Sequence, residues 1–299
     1  YSAPYTDAPS PIKGDINNDA VMDYLVSATN DSCSITSTDA QYGKGIGGWA
    51  ASSSTPPIIF QGNNINCAPY NRGVTLTDVD GDGIADMMQG ASGGPGNWRK
   101  AYRGTGQSWS ENSTWQMNTN FISNNQPTNS RIVDFNGDGL PDYLDSTSPM
   151  VNTNKKADLL TKITLSTGGF STISYKPTPQ YINDNNTVAN PELPLIVYTA
   201  YQIASNDGTA TSSSDTYFYK GGNYYHDNFL DRKFAGFSEI DLTDAAGNVT
   251  KTFYHTASST DASHGEYQDN YWKIGKPFRV EKYDNNAHLF EKIINNASV

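Results

Sequence analysis

The chain has no run of about 18 or more apolar residues, so no segment reads as a transmembrane helix. Positive charge is sparse: 20 Lys and Arg stand against 31 Asp and Glu, giving a formal net charge of −11. No Lys/Arg run offsets this, which argues against a nucleic-acid partner, because phosphates are bound by clustered basic groups. Cysteine is nearly absent. Cys33 and Cys67 could form one disulfide in an oxidising compartment or stay as two separate thiols. Runs of helix-favouring Leu, Glu, Lys and Arg are scarce. The start, Tyr1-Ser2-Ala3-Pro4, has neither the charged n-region nor the apolar h-region of a signal peptide. Tyr, Thr, Ser, Asn and Gly are abundant instead, which favours strands joined by turns. At 299 residues the chain has room for two domains of ordinary size.

Three acidic loops organise the first half. Each sets oxygen-bearing side chains at positions 1, 3, 5 and 9. They are Asp15, Asn17, Asp19 and Asp23; Asp78, Asp80, Asp82 and Asp86; and Asp134, Asn136, Asp138 and Asp142. Val21, Ile84 and Leu140 stand at position 7, where a backbone carbonyl would complete a hard oxygen set suited to one Ca²⁺ per loop. The sharp bend falls at position 6, where Gly tolerates φ > 0. Gly83 and Gly139 fill it, but loop one has Ala20, so loop one is expected to be the weakest site. Bound calcium would neutralise part of the net charge. Such sites in extracellular modules bind with Kd of about 10⁻⁴–10⁻³ M, which suits a calcium-rich exterior. Here the ion is expected to tie the turn together, since catalysis would need an open coordination position facing substrate.

The loops recur, beginning at 15, 78 and 134, and a second element keeps the same period. Tyr42-Gly43-Lys44-Gly45-Ile46-Gly47-Gly48-Trp49 aligns with Tyr102-Arg103-Gly104-Thr105-Gly106-Gln107-Ser108-Trp109. The third copy, Met150-Val151-Asn152-Thr153-Asn154, holds the turn position without the Trp. Each unit reads as an acidic loop, a short strand and a hairpin through a Gly-rich turn. The strands are Tyr24-Leu25-Val26, Met87-Met88 and Tyr143-Leu144. Repeats of this length made of short strands point to propeller blades or a solenoid. Near 155 the loops stop and longer alternating strands begin, so the domains are expected at 1–155 and 156–299. Hairpins are expected around Gly168-Gly169, Gly221-Gly222 and residues 244–248, with polar loops at 183–194 and 205–214.

Other chemistry fits less well. Gly43 to Gly48 satisfies G-x-G-x-x-G, but a dinucleotide site needs a strand before it and a helix after it, and Ser52-Ser53-Ser54 and Pro56-Pro57 follow instead. Nearly every close carboxylate pair lies inside a loop, where an ion would hold it deprotonated and unavailable for glycosidase work. His226, His255, His264 and His288 share no metal-ligand spacing and read as surface or satisfied histidines. Among Trp49, Trp98, Trp109, Trp115 and Trp272, the repeat-bound Trp49 and Trp109 are expected in packing, and Trp98 is expected to be exposed.

The acidic loops resemble the FG-GAP/VCBS type of calcium-binding propeller blade. The second half resembles the region after the propeller in Tc-toxin B subunits and related RHS-repeat proteins. The residues concerned are Asp158-Leu159-Leu160-Thr161-Lys162-Ile163, Gly168-Gly169, Ile173-Ser174-Tyr175, Phe234-Ala235-Gly236-Phe237-Ser238-Glu239-Ile240, Gly247 to His255, and Gly275-Lys276-Pro277. The resemblance implies an all-β chain, a partial β-propeller of three blades followed by an antiparallel β domain leading toward RHS repeats. It implies a bacterial protein, secreted or at the cell surface, and a central excerpt, since a closed propeller has about 4–8 blades. It also implies a non-catalytic structural and docking role, with Ca²⁺ as the cofactor. The partner would be a toxin pore component or the remainder of the same polypeptide. The alternative reading is a calcium-dependent adhesin or lectin-type propeller that binds carbohydrate or protein.

Overall fold

The computed structural model describes residues 12–295 apart from 30–34, 46–47, 53–54, 59, 64–68, 94–97, 119, 146–148, 210–211, 229 and 259. Cys33 and Cys67 lie outside the described residues. The chain is all-β, its helices limited to single 3-10 turns among the described residues, and no sheet closes into a barrel. Contacts divide it into two units, Tyr1–Asn136 with Leu140–Asp158, and Gly137–Gly139 with Leu159–Val299.

The first unit uses one sheet plan twice. Sheet one contains β1 (Ile12–Gly14), β2 (Asp23–Thr29), β3 (Ile35–Gly43), β4 (Trp49–Ala51), β5 (Gln61–Asn63) and β6 (Pro69–Asn71). Sheet two contains β7 (Val74–Thr77), β8 (Asp86–Ser92), β9 (Trp98–Gly104), β10 (Trp109–Glu111), β11 (Ile122–Ser123) and β12 (Gln126–Pro127). Their orders match: β4-β3-β2-β5-β6 with β1 on β2, and β10-β9-β8-β11-β12 with β7 on β8. The third repeat is a ribbon, β13 (Arg131–Val133) with β14 (Asp142–Leu144), extended by a bridge between Tyr143 and Met150. In all three, the acidic loop joins the first strand to the second, and position 9 pairs with the residue before position 1: Gly14 with Asp23, Thr77 with Asp86, Val133 with Asp142. Each full sheet also contains one parallel pair, β2 with β5 and β8 with β11.

The core follows from the two-residue period of a strand. Residues 86–91 of β8 are buried without interruption, so the strand is covered on both faces. Met87 faces Ile16, Leu25, Ala40, Phe60 and Tyr102, which joins repeats one and two. Met88 faces Val79, Ala101, Met117 and Tyr143, which joins repeats two and three.

The second unit is an antiparallel meander of β15 (Lys162–Thr164), β16 (Phe170–Pro177), β17 (Tyr198–Asn206), β18 (Ser212–Asn228), β19 (Asp231–Thr243), β20 (Val249–Tyr254), β21 (Pro277–Tyr283) and β22 (Leu289–Ile294). Turns stand at Gly168-Gly169 and at 244–248, where Asp244 N–H donates to Asn248 O at 3.0 Å. Gly221-Gly222 is not a turn. Strand β18 runs through it for 17 residues, with Lys220 opposite Glu239 and Gly222 opposite Phe237, and pairing with β19 on both sides carries the strand past Gly221, which sits at φ 60°. The 183–194 stretch is not a free loop either. Ala189 and Asn190 are buried, and the Asn190 side chain accepts from Gly222 N–H at 2.8 Å and donates to Tyr219 O at 3.0 Å. Fully buried Tyr181 sits edge-on to Phe218 and Tyr219.

Candidate cation loops

The position-9 carboxylates are the fixed points of the repeats. Asp23, Asp86 and Asp142 are 0%, 0% and 1% exposed. One oxygen of each accepts the position-2 amide, from Ile16 at 2.8 Å, Val79 at 2.7 Å and Phe135 at 3.1 Å. The other accepts an amide from the Gly-turn segment, from Gly43 at 2.9 Å, Gly104 at 2.8 Å and Asn152 at 2.8 Å. One buried side chain therefore ties the loop to the end of a neighbouring strand. The approach is close: a Cβ on Gly43 would lie 2.4 Å from Met22 O, and one on Gly104 would lie 2.4 Å from Ala85 O. In the third repeat Asn152 takes this place, and its side-chain amide donates to Val79 O at 2.7 Å and Pro141 O at 3.2 Å.

Positions 1 and 5 curl the loops. Asp15 accepts from Asn18 N–H at 2.7 Å and Ala20 N–H at 2.8 Å, and Asp78 accepts from Asp82 N–H at 3.0 Å and Gly83 N–H at 2.9 Å. Asp19 and Asp82 each accept an amide two residues on, from Val21 and Ile84, at 2.8 Å. The curl places positions 4 and 6 at positive φ: Asn18 at 61° and Ala20 at 62°, Gly81 at 72° and Gly83 at 85°, Gly137 at 72° and Gly139 at 77°. Asn tolerates this region, whereas Ala20 bears a strain of roughly 1–2 kcal/mol.

In loop two, Asp78, Asp80 and Asp86 present oxygens within 4.8 Å of one another. Asp80 Oδ1 is buried without a hydrogen-bond partner. Burial pushes the Asp86 carboxyl up to about 7. The amides of Gly104 and Val79 oppose the rise, and the charges of Asp80 and Asp82 add to it. The Arg103 guanidinium holds the outer oxygens, Nε to Asp80 Oδ2 at 2.6 Å and Nη2 to Asp82 Oδ2 at 2.8 Å. The donor set, all oxygen with one buried oxygen unsatisfied, fits a hard cation. Arg103 leaves the inner face to that ion. Loop one is more open, with Asp19 exposed and Asn17 half-buried. In loop three, Asp134 and Asn136 lie in the first unit with Asp142, and Asp138 lies in the second. Val21 and Ile84 are half-buried, and the Leu140 side chain is 1% exposed.

Residues 104–268, more than half of the chain, match the family described as the insecticide toxin TcdB middle/N-terminal region. The chain belongs to this family. Two solved structures share its fold. The crystal structure of TcdB2-TccC3 without its hypervariable C-terminal region aligns over 93% of this chain at 17% identity, with a TM-score of 0.64. The crystal structure of TcdB2-TccC3 aligns over 88% at 14% identity, with a TM-score of 0.53. The chain spans 15% and 16% of the length of those two chains. No curated protein matches it.

Other residues of this TcdB middle-region chain fall as follows. Trp109 packs against the core that joins repeats one and two, and Trp49 lies 5.6 Å from Tyr24. Trp98 is half-buried under the Arg72 guanidinium, 4.8 Å from its ring, because β9 begins there. Trp272 is the exposed one, at 43%. The G-x-G-x-x-G segment joins antiparallel strands β3 and β4, which is the wrong context for a nucleotide. His255 is buried beside Glu266 and Asp269. That grouping escapes sequence reasoning because a long connection, not a motif, brings the three together.

Proposed function

We propose that this chain is a calcium-stabilised, non-catalytic structural and docking segment of a large secreted Tc-toxin B-like, RHS-repeat protein. In this reading the first unit is a run of three FG-GAP/VCBS-type propeller blades. The carrying observation is the pair Met87 and Met88, adjacent on one strand and buried in two different inter-repeat cores. Sheets that seal against the next copy on both faces pack as propeller blades do. Family membership supports the toxin context. The partner would be a toxin pore component or another part of the same polypeptide. Calcium is supported by the oxygen cluster of loop two, and a structural role for the ion by the way the same carboxylates are tied into the backbone. The lectin reading has less support in the first unit, where Trp49, Trp98, Trp109 and Trp115 are all at least half-buried, and keeps only the exposed Trp272 of the five tryptophans.

The test is thermal unfolding of metal-stripped full chain with chelator and with millimolar Ca²⁺. Calcium should raise the midpoint by several degrees, as expected of a ligand that binds the folded state alone. Superimposable melts would remove calcium from the proposal.

A further inference from the structure

A second cluster lies in the second unit. His255 directly follows β20, and Glu266 and Asp269 belong to the connection that leads to β21. All three side chains are only 3% exposed. His255 Nδ1 lies 2.6 Å from Glu266 Oε1 and 3.4 Å from Asp269 Oδ1, and the three atoms fall within 4.8 Å of one another. None of the three makes an aligned hydrogen bond.

The other carboxylate oxygens are anchored, as the outer contacts of a ligand set would be. Glu266 Oε2 accepts Asp261 N–H at 2.5 Å, and Asp269 Oδ2 accepts Ser258 N–H at 2.9 Å. The His255 backbone is pinned at both ends, to Lys276 O at 3.1 Å and by Gly275 N–H at 2.9 Å. Its ring packs 5.1 Å from Phe278. Each carboxylate is thus held by one oxygen, and the other oxygens converge on His255 Nδ1.

Charge gives the second argument. Two ionised carboxylates buried beside one imidazole would leave a net negative charge even with the ring protonated, and such burial is costly; burial, with the charge of Asp269, pushes the Glu266 carboxyl up. Among the described residues, buried Lys273 makes no ion pair with either carboxylate, and its ammonium donates to Tyr267 O at 2.6 Å. A divalent cation with a neutral imidazole makes the site neutral. The nitrogen ligand disfavours Ca²⁺ and suits a transition ion. Ligands at about 2.0–2.1 Å in a tetrahedral site stand about 3.3–3.4 Å apart. The Nδ1 to Asp269 Oδ1 separation of 3.4 Å already matches that edge. The shorter Nδ1 to Glu266 Oε1 edge must open by roughly 0.7 Å to reach it. Glu266 also lines a cleft of 550 Å³ with Thr256, Ser258 and Asp261, which offers an entry path and room for a water ligand.

We propose that His255 Nδ1, Glu266 Oε1 and Asp269 Oδ1 bind one divalent transition-metal ion of the Zn²⁺ class, which pins the connection between β20 and β21. The test uses the full chain, stripped of metal and then held in millimolar Ca²⁺ so that the acidic loops are occupied. Zn²⁺ is titrated by calorimetry and Co²⁺ by visible absorption. One Zn²⁺ per chain should bind with Kd below about 10⁻⁶ M. Co²⁺ should give a visible band that Zn²⁺ abolishes. His255→Gln and Glu266→Gln should each weaken binding at least about 100-fold. Zinc should also protect residues 255–276 from limited proteolysis. A folded, calcium-loaded wild type that takes up no Zn²⁺ overturns the proposal. So does undiminished affinity in both variants. If a variant does not fold, the wild-type titration and the proteolysis still decide.

Discussion

Asp86 holds two backbone segments at once, and in the proposed reading the same side chain also serves the ion. Its two oxygens satisfy the buried amides of Val79 and Gly104, so Asp86→Ala leaves both without an acceptor. At about 1–3 kcal/mol for each orphaned group, the variant should lose roughly 2–5 kcal/mol even in chelator. Asp82→Ala removes the Ile84 turn bond, the ion pair to Arg103 and, in the proposed reading, an ion ligand, so its loss in chelator should be smaller than that of Asp86→Ala and its calcium-dependent loss should exceed that of Asp19→Ala. Denaturant melts with and without chelator separate the two kinds of loss. Equal losses in chelator for Asp82→Ala and Asp86→Ala would refute the distinction. Ala20, held at φ 62°, makes the complementary prediction. Ala20→Gly should stabilise loop one by about 1 kcal/mol and tighten its calcium binding, read by site-resolved titration. The pH response follows from burial. With its carboxyl pushed up to about 7, Asp86 stays protonated in the folded protein where the unfolded chain has ionised. Metal-free stability should therefore fall as pH rises from about 4 toward 7, and calcium should flatten that slope. A metal-free protein whose stability rises across that window would contradict it. The 1, 3, 5, 9 spacing of these oxygen-bearing side chains is legible in sequence. The second task of position 9 is not, because its amide partners at Gly43 and Gly104 arrive from another strand.

Hairpins carry the repeat at the next scale. The Tyr-to-Trp segments read correctly as β3 with β4 and β9 with β10, because aromatic residues and a Gly-rich turn at a fixed spacing leave little else to build. The Gly at each strand end has a steric reason as well. Gly104→Ala would drive a methyl to 2.4 Å from Ala85 O and loosen the bond to Asp86. A loss of about 1–3 kcal/mol in thermal or urea unfolding is expected, and a neutral result would mean that β9 can shift freely. Strands β5 and β11 escape a sequence reading because Gln61–Asn63 and Ile122–Ser123 are too short to show a period. The pair Gly221-Gly222 misleads for the opposite reason: it carries a turn signature, and Gly221 does sit at φ 60°, but pairing with β19 on both sides of it keeps the strand going.

On the whole-molecule scale, composition and alternation make the all-β class plain, and the change near 155 lies close to the contact boundary at Asp158. What could not be read is which faces meet, since Met87 and Met88 look alike in sequence and serve different cores. If the first unit is part of a propeller, its outermost repeats expose faces that further blades would cover. Residues 1 to about 155 expressed alone should then associate or aggregate, which light scattering would detect. A monodisperse monomer with a cooperative melt would favour a self-contained three-repeat module. The meander of the second unit has a consequence in time. Each of its eight strands pairs only with the strands before and after it in the chain. During synthesis, every new strand from β16 onward meets an edge that has already left the ribosome, and none must wait for a partner made much later. Such a sheet can grow one strand at a time behind the first unit, and its short-range pairings keep loop closure inexpensive.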